Sequence, residues 1–217
     1  LPCRLPVSTT CPSGTGVVTA VGGAGTITVT GATMNAAQAS CNITVDVTSG
    51  VVGGPYNNTA ASISPYSNIT NSVTTSGLTV LPLPTLSKAF GTSPVGVGQT
   101  STLTFTLDNP ANGIVRSGIT FTDTFPADLG IAAVPNVVNN CGGTPTITAT
   151  SGTGQFSIGG TGVGVAVGVS SCTISVDVYS DIAGSYVNGA AEITAKSANL
   201  NNGVTDQTLV VVQPSLN

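Results

Sequence analysis

The sequence lacks histidine and tryptophan, and only 6% of its 217 residues are charged. Without histidine, Ser–His and Cys–His nucleophile pairs cannot be built, and the commonest general base is missing. Without tryptophan, the usual aromatic platform for stacking a sugar ring is also missing. These absences argue against an enzyme, and the sequence indicates no catalytic residue and no cofactor.

Positive charge is scarce as well. Four Lys and Arg stand against eight Asp and Glu, and the basic residues form no cluster. Nucleic-acid binding depends on neutralising phosphates with such clusters, so a nucleic-acid partner is not expected. A Ser–Lys dyad would have to use Lys88 or Lys196, and nothing in the sequence around either residue suggests a lowered pKa. Long apolar runs are also absent, so no membrane span of roughly 18–20 residues is predicted.

The residues that are abundant favour β-structure. The chain is 40% hydrophobic, with 28 Gly and 13 Pro that interrupt it at short intervals. Three stretches, "STLTFTLDN", "GITFTDTF" and "SCTISVDVYS", alternate apolar and polar residues with the period of a half-buried strand. Asp123 is in phase with the apolar face of the second stretch. Since no segment carries a helical apolar stripe, we expect an all-β fold, an antiparallel β-sandwich. The predicted inward residues are Leu103, Phe105, Leu107, Ile119, Phe121, Phe125, Cys172, Ile174, Val176 and Val178.

One stretch of the sequence occurs twice. "SCNITVDVTSGVVGGPYNN" at 40–58 matches "SCTISVDVYSDIAGSYVNG" at 171–189, which pairs Cys41 with Cys172, Asp46 with Asp177 and Tyr56 with Tyr186. The period is about 130 residues, a common domain size. We therefore predict two modules in tandem, with residues 84–217 as a complete copy and residues 1–83 as the C-terminal part of another.

The first module is expected to be incomplete at its N-terminal side. Strands are predicted at 16–20, 24–29, 41–48 and 69–82, but nothing corresponds to segment 88–130 of the second copy. Open apolar faces and unpaired edges are avoided in natural β-proteins. We expect neighbouring repeats or identical subunits to supply the missing strands to residues 1–83. The alternative is that residues 1–83 are an independent small domain.

The cysteine spacing is duplicated too. Cys11 and Cys41 are 30 positions apart and Cys141 and Cys172 are 31 apart, with no CxxC pair or histidine to favour zinc. Two equivalent disulfides are therefore predicted, each stabilising its module by roughly 3–4 kcal/mol in the chain-entropy model. Disulfides imply an oxidising compartment, so an extracellular or cell-surface location is expected. Cys3 is left over, either free, paired with another chain, or paired with a cysteine upstream.

A family resemblance follows from these residues together. The stretches "LSKAF", "GQTSTLTFTLDNP", "FTDTFPADLG", "SCTISVDVYS" and "GSYVNGAA" resemble the tandem Ig-like repeats of large bacterial cell-surface and secreted proteins, a family of formally unknown function. The resemblance implies β-sandwich modules in stalks, adhesins or surface layers, without catalytic residues. The chain differs from antibody domains, which have a core tryptophan and a wider cysteine spacing.

Three functions are compatible with this resemblance. The leading hypothesis is a structural component of an extracellular fibre, filament or stalk, and the second is an adhesin that binds a protein or a glycan. The third is a calcium-stabilised surface-layer module with Asp108, Asp123 and Asp128 as weak candidate ligands. Because no Asp-x-Asp-x-Asp loop is present and Asp commonly closes turns, no metal site is predicted.

Lys88 and Asn188 raise a further alternative. An internal Lys–Asn isopeptide bond, of the kind known in other surface sandwiches, could join Lys88 on the first strand to Asn188 near the end of the second copy. The plainer interpretation is an exposed lysine and a hairpin turn, because Asn-Gly is typical of type I′ turns. We expect the plainer interpretation to hold.

Overall fold

The computed structural model describes residues 7–11, 17–111 and 113–213, and Cys3 lies outside these ranges. The chain divides into two compact units, Leu1–Val80 and Leu81–Asn217. Strands make up the regular structure, and a 3₁₀ turn at Ala60–Ser62 is the one helical element in the described ranges. No helix among these residues is both long and apolar enough to cross a bilayer.

The first unit consists of short two-stranded ladders. β1 pairs with β4, β2 with β3 and β5 with β6, all antiparallel. Ala20 is the one hydrophobic side chain that is buried among the described residues of this unit. β5 was not predicted from the sequence. The strands are β1 Val7–Thr9, β2 Val17–Ala20, β3 Ile27–Thr30, β4 Ile43–Val45, β5 Gly53–Asn58 and β6 Ser76–Val80.

The second unit is a β-sandwich. One sheet has the order β11-β15-β9-β7-β18 with β12 on the edge of β15, and the other has the order β13-β14-β10-β17. A third, smaller sheet has the order β16-β19-β8. The strands are β7 Thr85–Phe90, β8 Val95–Gly96, β9 Thr100–Asp108, β10 Arg116–Thr124, β11 Gly130–Ile131, β12 Val138–Asn139, β13 Gly142–Ala149, β14 Gln155–Val165, β15 Ser171–Tyr179, β16 Gly184–Asn188, β17 Ile193–Lys196, β18 Asn201–Asn202 and β19 Gln207–Val212.

The core of the second unit lies between its two larger sheets. Phe105 on β9 stacks on Phe156 on β14, with ring centroids 5.0 Å apart and an interplanar angle of 11°. Phe121 on β10 packs against Phe105 at 5.1 Å. Every apolar residue that the alternation predicted to face inward is buried. The period-two pattern therefore identifies the core of this sandwich correctly.

A disulfide joins the two larger sheets. Cys141, immediately before β13, is bonded to Cys172 on β15, with their Cα atoms 5.1 Å apart. In the first unit, Cys11 is bonded to Cys41. The structure therefore brings together both cysteine pairs that the sequence suggests.

The expected hairpin at Asn188-Gly189 is wrong. β16 ends at Asn188, but its antiparallel partner is β19 and not the next strand, β17. Asn188 is fully buried, with 0% of its surface exposed, which is incompatible with a solvent-exposed turn position. The side chain of Asn188 belongs instead to the interior of the unit, where it meets two other polar residues.

Candidate functional site

Three polar side chains lie at strand positions whose side chains point into the core. Leu86 and Lys88 both face inward on β7, because alternate residues of a strand point to the same face. Asp123 continues the buried face of β10. Asn188 follows the buried Tyr186 on β16. The three strands thus direct an amine, a carboxyl group and a carboxamide into one interior.

The three side chains contact one another directly. Lys88 Nζ donates to Asp123 Oδ1 at 2.9 Å and to Asn188 Oδ1 at 2.6 Å. Asn188 Nδ2 donates to Asp123 Oδ2 at 3.0 Å. The Asp123 carboxyl group therefore contacts the amine nitrogen with one oxygen and the carboxamide nitrogen with the other. Each pair of the three residues is joined by a hydrogen bond.

Burial controls the charge of this site. The side chains of Lys88 and Asp123 are both 0% exposed. Desolvation, because it disfavours the charged form, lowers the pKa of Lys88 and raises the pKa of Asp123. Their mutual attraction opposes both changes, and the nearby Glu192 carboxylate adds to the raised pKa of Asp123. Both pKa changes favour a proton on the carboxyl group and a neutral amine.

The environment of Lys88 corrects two expectations from the sequence. Lys88 is buried and not exposed, and burial lowers its pKa, whereas the sequence analysis expected an exposed lysine with no lowered pKa. The partners of its amine are Asp123 and Asn188, not a serine. Lys196 lies elsewhere, and its Nζ donates to the Leu200 carbonyl at 2.9 Å. A Ser–Lys dyad at Lys88 therefore has no support.

The candidate calcium ligands are not brought together into a cage. Asp108 is exposed at the end of β9, and Asp128 is exposed in a turn with a φ of 68°. Asp123 is instead buried against Lys88 and Asn188. In the described ranges, no three His, Cys, Asp or Glu side chains are grouped to hold a metal ion. These positions therefore give no argument for calcium.

A sequence signal for the site was available. In "TLSKAF" the positions of Leu86, Lys88 and Phe90 share one strand phase, as Asp123 does with Phe121. A charged residue in phase with an apolar face is rare unless it is paired inside the protein. The contribution of Asn188 could not be found in this way, because Asn-Gly is also the commonest hairpin dipeptide.

A shallow groove lies elsewhere on the second unit. Its volume is about 390 Å³, and it is formed by the 125–130 segment, by Gly152 and Gly154, and by residues 179, 181 and 182. Asp128 and Asp181 are both exposed there, beside the half-buried Tyr179. The groove is open and acidic, and it does not include the Lys88–Asp123–Asn188 cluster.

A family model described as "Domain of unknown function (DUF7933)" matches the chain twice, over residues 2–80 and 84–211. No curated protein matches the sequence significantly.

Several solved structures align with this chain at low identity. A non-cellulosomal cohesin from the archaeon Archaeoglobus fulgidus is 11% identical, with a TM-score of 0.37, and the alignment covers 59% of this chain and 91% of the cohesin. The third ScaC cohesin of Acetivibrio cellulolyticus, solved with a ScaB dockerin, is 13% identical with a TM-score of 0.38, covering 58% and 99%. BcpA, the major pilin subunit of Bacillus cereus, is 11% identical with a TM-score of 0.36, covering 87% and 54%. Likeness at this level carries no argument about what the chain does.

Proposed function

This chain belongs to the DUF7933 family of domains of unknown function, and we propose that it is a structural module of an extracellular fibre, filament or surface stalk. The observation that carries the proposal is the buried cluster of Lys88, Asp123 and Asn188. It ties the first strand of the second unit, β7, to β16, which is the ladder partner of the last strand, β19. A cluster in this place reinforces the unit against being pulled open from its ends.

The mechanical reasoning follows from strand order. Tension along a tandem array enters a module through its first strand and leaves through its last. β7 is held by a full antiparallel ladder to β9, and β19 by a ladder to β16. The cluster connects these two ladders through Lys88 and Asn188, and the Cys141–Cys172 disulfide connects the two large sheets. Extension of the unit therefore has to break buried polar contacts as well as strand pairing.

Equivalent features in the two units support a tandem repeat. Tyr56 donates to the Val51 carbonyl at 3.1 Å, and Tyr186 donates to the Ile182 carbonyl at 2.7 Å. Tyr56 is also paired across its ladder with Leu78, as Tyr186 is with Leu209. Tyr56 and Tyr186 are about 130 positions apart, as are their ladder partners Leu78 and Leu209, and this is the period of the sequence repeat.

The disulfides support an extracellular location. Both units contain one, and disulfides persist in oxidising compartments and are rare in the cytosol. The Lys88 side chain is 0% exposed, and this burial supports a structural role for the cluster.

The partner of the first unit is proposed to be strands from another copy of the fold. Val17 on β2 and Ile27 and Val29 on β3 are 43–58% exposed. Strands of a neighbouring repeat or an identical subunit would cover these apolar faces by β-augmentation.

Immunogold labelling tests the structural role. Antibodies against the second unit, applied to intact cells of the source organism, should label fibres or stalks along their length. Deletion of the coding region should remove or shorten those structures. Labelling confined to the cytoplasm, or fibres of unchanged length after deletion, would contradict the proposal.

Adhesion is a second candidate, because of the acidic groove beside Asp128 and Asp181. A groove with two exposed carboxylates favours a basic protein segment as a ligand. In this case an Asp128→Asn/Asp181→Asn variant should abolish attachment of the fibres to the basic protein ligand while leaving the fibres themselves intact. Unchanged attachment in that variant would remove the groove from consideration.

A further inference from the structure

The Lys88–Asp123–Asn188 cluster contains the parts of a reaction that would join two of its own members. We propose that Lys88 and Asn188 form an intramolecular isopeptide bond, with Asp123 as the catalytic acid and base and ammonia as the leaving group. This inference rests on the geometry of the cluster and does not depend on the fibre role proposed above.

The distances place the reacting atoms close together. Lys88 Nζ is 2.6 Å from Asn188 Oδ1. A carbonyl bond is about 1.2 Å long, so Nζ lies at most about 3.8 Å from the Cγ carbon that it would attack. Reactive conformers typically bring such atoms to about 3–3.5 Å, so a small shift suffices. The strands that carry the two residues fix this approach without a binding step.

Asp123 is placed to move the proton that the reaction must transfer. One of its oxygens contacts the attacking nitrogen of Lys88 at 2.9 Å, and the other contacts the leaving nitrogen of Asn188 at 3.0 Å. Asp123 can accept this proton while it stays in contact with Lys88, because burial raises the pKa of Asp123 and lowers the pKa of Lys88. The carboxyl group can therefore take up the ammonium proton and act as an acid.

The step balances without any added reagent. The Lys88 ammonium first gives a proton to the Asp123 carboxylate, which leaves a neutral amine with a lone pair. That lone pair attacks Asn188 Cγ, and the new C–N bond forms as the carbonyl becomes tetrahedral. Asp123 passes a proton to Nδ2 and regains one from the attacking nitrogen. The old C–N bond then breaks, ammonia leaves, and Asp123 remains protonated.

Burial also favours the product. All three side chains are fully buried, so water that would hydrolyse the new amide or replace the amine as a nucleophile is excluded. Neutral partners and a neutral amide are, in addition, less costly to keep inside the sandwich than an ion pair. The interior that makes the charged cluster expensive thus stabilises the cross-linked one.

Intact mass spectrometry of the reduced full chain tests the proposal. The wild-type protein should weigh about 17 Da less than its sequence, the mass of one ammonia. Tryptic cleavage after Lys88 should be blocked, and one product should contain segment 5–116 joined to segment 117–196. A wild-type mass equal to the sequence mass, with normal cleavage after Lys88, would overturn the proposal without any variant.

Variants separate this bond from another loss of ammonia. Asn188 precedes Gly189, so a succinimide at Asn188 would give the same mass change. Lys88→Met, Asp123→Asn and Asn188→Ala should each retain the full sequence mass, whereas the control Lys196→Met should show the same mass deficit as the wild type. A deficit that persists in Lys88→Met would assign it to a succinimide and contradict the isopeptide bond.

Discussion

Lys88 and Asn188 are 100 positions apart in the sequence, yet Lys88 Nζ donates to Asn188 Oδ1 across 2.6 Å in the interior of the second unit. The contact bridges β7, in the large sheet, and β16, in the small one. Asp123 on β10 of the opposing large sheet completes it. One buried cluster therefore connects all three sheets of the unit.

Removal of the Asp123 carboxyl group should strongly destabilise the second unit. Asp123→Ala leaves the Lys88 amine buried beside Asn188 alone, and breaking a buried pair in this way typically costs about 3–5 kcal/mol. Asp108→Ala is the control, since Asp108 is exposed and such substitutions change stability by about 0.5 kcal/mol or less. Denaturant unfolding measures both. Equal stability of the two variants would mean that the cluster contributes little.

The inter-sheet disulfide should contribute independently. Replacing Cys141 and Cys172 by alanine should lower the free energy of unfolding by roughly 3–4 kcal/mol. The reason is that the denatured chain is no longer closed into a loop between cysteines 31 positions apart.

Non-reducing peptide mapping of the wild type should recover Cys11 with Cys41 and Cys141 with Cys172. A peptide joining Cys41 to Cys141 would contradict the equivalence of the two units.

Gly162 should be intolerant of a side chain. It has a φ of +71°. An added Cβ would lie 2.7–2.8 Å from backbone atoms of Gly118 and Ile119, where β14 pairs with β10. Gly152 is a matched control, with a φ of +74° and nothing within 4 Å. Both alanine variants incur the backbone strain of roughly 1–2 kcal/mol. Gly162→Ala should lower the free energy of unfolding by about a further 1–3 kcal/mol, because the added Cβ overpacks the contact between the two strands. Thermal unfolding of the two variants measures the difference. Similar losses in both would show that the strands do not approach so closely.

Residues 1–83 should not form a stable monomer alone. Among their described residues only Ala20 is a buried hydrophobic side chain, so little apolar burial is available to offset the entropy of folding. The expressed fragment should unfold without cooperativity or self-associate in size-exclusion chromatography with light scattering. A monomeric fragment with a cooperative transition would show that the unit is a complete domain.

The period-two alternation was sufficient to predict the sandwich core and the inward phase of Asp123. The plainer interpretation of Lys88 and Asn188 failed for a physical reason, since it treated each residue by its local propensity. Lysine is usually exposed and Asn-Gly usually turns, but a tertiary contact between strands 100 residues apart overrides both tendencies. β5 was missed because "GGPYNN" combines Gly, Pro and Asn, which are depleted in strands.

Force spectroscopy of the second unit tests the central claim most directly. When the unit is pulled from its two ends, a covalent link between Lys88 and Asn188 keeps the segment between them from extending. With the Cys141–Cys172 disulfide reduced in both proteins, the extended wild type should therefore be about 330–360 Å shorter than the Asp123→Asn variant, since the 100 residues between the linked positions extend by at most roughly 3.3–3.6 Å each. If the wild type extends as far as the variant, no covalent link joins β7 to β16, and the account is contradicted.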